Sequence, residues 1–158
     1  MQEAEAIIIM GSKKDLDWSR KISSELEKFG IKSACRIASA HKTPLKCLDI
    51  IKEYEEKNVV FITVAGRSNA LSGFVDAQTS KPVIACPPYS DKFSGADIFS
   101  TIRMPSGVAP MLVTEPENAA LAVAKILALS NNEIRQKVIE FQENMKSKIT
   151  KDDEEING

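Results

Sequence analysis

The 158-residue chain carries 21 basic and 22 acidic side chains, a formal net charge of −1, which excludes a polybasic grip on nucleic acid or anionic lipid as its main business. Its 43% hydrophobic and 27% charged content is that of an ordinary globular protein, and its length suits one domain over residues 1–150 followed by an acidic tail at 151–158, expected to be solvated and disordered. No run approaches the ~18 apolar residues a membrane span needs; the richest, Ala119 to Leu129, is interrupted by Lys125.

Met1 to Ala6 holds two glutamates and no basic start, so no secretion signal is expected and the location implied is cytoplasmic. Cys35, Cys47 and Cys86 are widely spaced, with no CxxC pair and a single His in the chain, which predicts buried free thiols and no zinc site.

Ala6 to Met10 is a short apolar run ending at Gly11 and reads as a strand buried on both faces. Asp15 is placed to cap a helix whose apolar positions are Leu16, Ile22, Leu26 and Phe29, with Gly30 ending it. Ser33 to Ala38 is a weaker second strand. Thr43 followed by Pro44 then opens a helix, with Leu45, Leu48, Ile51 and Tyr54 as its apolar positions.

Val59 to Val64 is the clearest strand, β-branched and aromatic, and runs into Ala65-Gly66-Arg67-Ser68-Asn69. A short helix is expected over Asn69 to Ala77, and a fourth strand over Pro82 to Cys86, broken by Pro87-Pro88. Helix over Gly95 to Arg103, a turn at Met104-Pro105-Ser106-Gly107 and a fifth strand over Pro110 to Thr114 follow.

Pro116 opens a helix to Leu129 that is apolar nearly all round. Such a helix is buried either between the sheet and the next helix or in a subunit interface. The last helix, from about Asn131, keeps Ile134, Val138, Phe141, Met145 and Ile149 on one stripe, which suits its own core or a partner surface. Five apolar strands alternating with helices predict an α/β fold, a flavodoxin-like doubly wound parallel sheet between two helical layers.

In such a sheet ligands sit outside the carboxyl ends of the strands, near the point where strand order reverses. Three polar loops leave those ends. The first, Gly11-Ser12-Lys13-Lys14-Asp15, joins a glycine, a hydroxyl and two ammonium groups to a helix start, a combination that favours phosphate but is also ordinary turn chemistry. The second, Ser39-Ala40-His41-Lys42-Thr43-Pro44, holds the single imidazole of the chain beside anion-holding groups, an acid/base candidate. In the third, Arg67 follows a small Ala65-Gly66 step that lets backbone approach a ligand; pairing with a surface carboxylate is its alternative.

Met10 to Asp15, Ser39 to Pro44, Ala65 to Gly73 and Met104 to Gly107, taken in order, resemble the phosphoribosylaminoimidazole carboxylases of purine biosynthesis, from about Ile7 to Leu129. The mutase type (class I) carries Gly-Gly-Ala-Ala-His after the third strand and Arg after the loop histidine. Ala65 to Asn69 and Lys42 instead resemble the direct carboxylase (class II), similar to the carboxylase domain of the bifunctional animal enzyme. Lys14 departs from the family pattern, where a second serine is usual.

The resemblance implies that 5-aminoimidazole ribonucleotide and CO2 give the 4-carboxy product without ATP, biotin or metal, so that no cofactor is required. It implies His41 as proton shuttle; Ser12, Lys42, Ser39, Gly11 and Lys14 around the phosphate; and Asp15 on the ribose hydroxyls. It further implies Ala65, Gly66, Arg67 and Ser68 around CO2, and Ser106 and Gly107 closing the site. Its members are homo-octamers or homotetramers. The competing readings are the class I mutase and a non-enzymatic flavodoxin-like module; a phospho-receiver would need an acidic cluster after strand one and an aspartate after strand three, which are absent here.

Overall fold

The computed structural model describes residues 5–91 and 94–157. Met1 to Ala4, part of the start in which no secretion signal is expected, and Gly158 of the expected tail lie outside them. Strands β1 (Ala6–Met10), β2 (Ser33–Ile37), β3 (Val60–Val64), β4 (Val83–Ala85) and β5 (Met111–Leu112) form one parallel sheet in the order β2-β1-β3-β4-β5. The central strands β1, β3 and β4 are buried throughout, as continuous runs of apolar and β-branched residues require.

Alternation along the strands sorts the core into two layers. Ile8, Met10, Ile62 and Val64 face a cluster completed by α1 (Leu16–Lys28), α5 (Pro116–Leu127) and α6 (Asn132–Asn157). Ile7, Ile9, Phe61 and Val83 face α2 (Pro44–Tyr54) and α3 (Ala70–Asp76) on the other side. This is the three-layer doubly wound arrangement the strand and helix alternation predicts, and its switch point falls between β1 and β3.

α1 ends where Gly30 takes φ +75°, a left-handed conformation in which a side chain would also collide with the Lys137 ammonium. α2 differs from expectation. Its buried stripe is Cys47, Ile50, Ile51 and Tyr54, an i, i+3, i+4, i+7 set, while Leu45 is 76% exposed in the first turn. The Gly95 to Arg103 segment is a 3-10 turn at Ala96–Ile98 followed by the single-turn α4 (Phe99–Ile102).

The apolar helix α5 is covered within this chain: Ala119, Ala120, Val123, Ala124 and Leu127 are buried in the cluster that includes α1 and α6. In α6 the expected stripe is buried at Ile134 and Val138, and Phe141 meets Phe29 edge-on at 5.4 Å. Met145 and Ile149 lie past the end of the core and are exposed. The acidic segment continues this helix to Asn157 where a disordered tail was expected; its residues are exposed as anticipated. Cys47 and Cys86 are buried, but Cys35, on the edge strand β2, is exposed, which corrects the expectation of three buried thiols. Among the described residues no helix is long and apolar enough to cross a membrane.

Candidate active site

Backbone hydrogen bonds carry the ladder of the sheet up to its carboxyl tips. The Gly11 N–H donates to the Val64 carbonyl at 2.9 Å, the Ala38 N–H to the Met10 carbonyl at 3.0 Å, and the Cys86 N–H to the Thr63 carbonyl at 2.9 Å. The loops that follow therefore leave from fixed points, and they border one open cleft of about 720 Å³ at the switch point.

The first loop contributes Gly11, Ser12, Lys14 and Asp15 to this cleft. A 3-10 turn over Lys13–Asp15 precedes α1, so Asp15 occupies the cap position without bonding a helical N–H, contrary to the expected capping role. Its carboxylate instead accepts from the Ser12 hydroxyl at 3.2 Å. It also lies between two loops: a Cβ built on Gly11 would stand 3.9 Å from Asp15 Oδ2, and one built on Gly66 would stand 4.0 Å from Asp15 Oδ1.

The second loop is closed on itself. Thr43 N–H donates to the Ser39 carbonyl at 2.9 Å, Ser39 N–H to Thr43 Oγ1 at 2.9 Å, and Lys42 N–H to Ser39 Oγ at 3.2 Å. This knot presents Ser39, His41 and Lys42 to the cleft, with His41 and Lys42 exposed and uncommitted to the core. Pro44 then starts α2, which needs no N–H at that position.

Ala65, Gly66, Arg67 and Ser68 form the wall from the third loop. Asn69 ends it as the cap of α3, accepting from the Ser72 N–H at 3.3 Å. The same buried side chain donates to the Thr101 hydroxyl at 2.5 Å, and the Asn69 N–H donates to Ser100 Oγ at 3.0 Å, tying the wall to α4. Among the described residues, Lys14, Lys42 and Arg67 against the single carboxylate Asp15 give the lining of the cleft an excess of positive charge suited to an anionic ligand.

Sequence reasoning missed a fourth side. Pro88, Tyr89 and Ser90, after β4, complete the cleft. The Pro87-Pro88 pair signalled only a strand stop, although a stop at a carboxyl tip is also a place where a ligand loop begins. The same segment, with Ala65 and Arg67, borders a second, mostly apolar recess of about 240 Å³. Ser106 and Gly107, by contrast, line neither space within this chain. Their turn is held against α3, where the Ala109 N–H donates to Asp76 at 2.7 Å and Met104 packs on Gly73. Among the described residues no group of three His, Cys, Asp or Glu side chains gathers to hold a metal.

Comparison with known proteins gives this cleft its context. The model of the AIR carboxylase family matches residues 5–148. A phosphoribosylaminoimidazole carboxylase of Archaeoglobus fulgidus is 73% identical over 96% of this chain and 84% of its own length. An N5-carboxyaminoimidazole ribonucleotide mutase of Methanocaldococcus jannaschii is 41% identical over 94% of this chain and 95% of its own. The human bifunctional phosphoribosylaminoimidazole carboxylase/succinocarboxamide synthetase is 38% identical, and the chain spans about a third of its length. The crystal structure of Treponema denticola PurE superposes with a TM-score of 0.94 at 50% identity, covering 97% of this chain and 98% of that one. With the family model spanning nearly the whole described fold and relatives of this identity, the chain belongs to the AIR carboxylase family, enzymes of purine biosynthesis.

Proposed function

We propose that the chain is the direct carboxylase: it joins CO2 to C4 of 5-aminoimidazole ribonucleotide and yields the 4-carboxy product. The observation that carries this reading is the single cleft in which the His41 loop and the Ala65-Gly66-Arg67-Ser68 wall both stand, since that wall has the form associated with direct carboxylation. Family membership alone does not separate carboxylase from mutase, because relatives carry both names.

The chemistry follows from the substrate. The aminoimidazole ring is enamine-like, so the C4 electron pair forms a bond to the carbon of CO2 while one C=O π pair moves to oxygen. The sp3 carbon that results then loses its proton, and the C4–H electron pair restores the aromatic ring. His41 accepts that proton and returns it to solvent. General base help of this kind contributes ~10²–10⁴-fold, with positioning of the reactants supplying the rest.

Ser12, Lys14 and Lys42 hold the phosphate together with Ser39 and the backbone at Gly11, and Asp15 accepts from the ribose hydroxyls. Lys14, in the position where a serine is usual, substitutes a point charge for a hydroxyl donor. Arg67 orients the developing carboxylate, beside Ala65, Gly66 and Ser68, which leave room for it. The reading includes a cytoplasmic homo-octamer, with a homotetramer as the alternative, and no bound cofactor. Ser106 and Gly107 receive no role.

The test is turnover of the aminoimidazole ribonucleotide with bicarbonate, without ATP, against turnover of its N-carboxy isomer by the same preparation. Faster use of the isomer would make the chain a mutase.

A further inference from the structure

The cleft already described does not account for the recess beside it. Behind the wall shared by Ala65 and Arg67 lies the recess of about 240 Å³, bounded on its far side by Ile98, Thr101 and Thr114. Ala65, Arg67, Pro88, Tyr89 and Ser90 border both spaces, so the recess adjoins the cleft along the third and fourth loops.

Its surface is mostly apolar, and the Asn69, Ser100 and Thr101 side chains of its inner wall are already paired. The Asn69 amide is engaged by Thr101 and Ser72, and the Ser100 hydroxyl both accepts from the Asn69 N–H and donates to the Asp97 carbonyl at 2.8 Å. Asn69 and Thr101 are 5% and 3% exposed, too enclosed to bind bulk water as well. With these groups paired among themselves, the apolar surface is what this wall offers a solute, and it suits a small uncharged one. Arg67 and Asp97 are the charged side chains on its border, and Arg67 stands on the partition itself.

We propose that this recess takes up CO2 and delivers it to the nucleotide cleft past Ala65 and Arg67. CO2 has no net charge and no dipole, so it settles against an apolar surface at little cost. The phosphate and ribose of the nucleotide demand the polar, positively charged cleft instead. The two substrates are thus divided between two spaces according to their solvation, and they meet at the Arg67 partition. The inference rests on the direct-carboxylase reading.

Ile98 forms part of the recess but not of the cleft, so Ile98→Trp fills the former and leaves the latter. With carbonic anhydrase present to keep CO2 and bicarbonate in equilibrium, the KM for CO2 should rise about fivefold or more, while the KM for the nucleotide stays within about twofold. Thr114→Val, which preserves volume, should leave both constants near those of the parent. Should Ile98→Trp fail to fold, the parent protein answers through xenon: crystals under xenon pressure should hold the gas against the apolar surface of the recess. An unchanged KM for CO2 in a folded Ile98→Trp protein, or a recess that excludes xenon and holds a chain of ordered waters, overturns the proposal. A parent that makes no product from the nucleotide and saturating CO2 overturns the carboxylase reading itself, and this inference with it. Parental turnover with no effect of Ile98→Trp removes the recess alone.

Discussion

The Asn69 side-chain N–H donates to the Thr101 hydroxyl at 2.5 Å, joining the loop after β3 to α4 across 32 residues of chain. Both partners are buried. Asn69→Ala removes this bond and the cap of α3 together and leaves the Thr101 hydroxyl enclosed without its donor. The loss expected is about 1–3 kcal/mol of stability, read by urea denaturation. Because Arg67 and Ser68 lie on the segment so anchored, catalytic turnover should fall further than the fraction unfolded accounts for. Asn69→Asp keeps the cap acceptor but lacks the amide donor, and should recover part of the stability.

His41→Asn should leave the fold intact, since the ring is exposed and surface substitutions of this kind usually shift stability by less than about 0.5 kcal/mol. Carboxylation should drop by ~10²–10⁴-fold in kcat, with the nucleotide KM little changed. Near-normal turnover would remove the proton-transfer role.

Asp15→Ala separates binding from folding. The carboxylate makes no helix-cap bond, so its removal should barely move the thermal midpoint. Losing a charged acceptor for ribose hydroxyls should weaken nucleotide binding by about tenfold to a hundredfold, measured by calorimetry with the product. A large fall in thermal midpoint with unchanged affinity would reverse that assignment.

The thiols should react in a fixed order. Thiolate is the reactive form, and burial pushes Cys47 up to about 11 and Cys86 up to about 12. Cys35 is exposed; partial burial of its side chain raises its thiol too, but the charge of Arg20 opposes that rise. Brief alkylation at neutral pH, followed by mass spectrometry, should modify Cys35 first, with Cys47 and Cys86 protected until the protein unfolds.

Much of the fold was legible because the central strands β1, β3 and β4 are continuous apolar runs closed by Gly11, Ala65-Gly66 and Pro87-Pro88, and short length between such breakers identifies them as strands. What escaped depends on tertiary neighbours. Leu45 stands three residues before Leu48 and so reads as part of one stripe with it, but at about 100° per residue it lies on the face of α2 opposite Cys47, Ile50, Ile51 and Tyr54, which take the inward positions. Asp15 has the right chemistry for a cap, but a 3-10 turn carries its carboxylate toward the ligand loops.

The cleft-lining residues at the tips of β1, β2 and β3 were readable from the rule that ligands gather at such tips. Tyr89 and Ser90 were not, because an exposed loop after a Pro-Pro break has no local signature of function. The recess was not readable either. Its border runs from Ala65 to Thr114, across loops that only folding brings together.

The measurement that bears most directly on the account is a crystal structure with the 4-carboxy nucleotide bound. The phosphate should lie against Ser12 and Lys42, the ribose against Asp15, and the His41 imidazole within about 3–4 Å of C4, the reach of a proton transfer. A nucleotide seated outside the cleft, or one whose base turns away from His41, would contradict it.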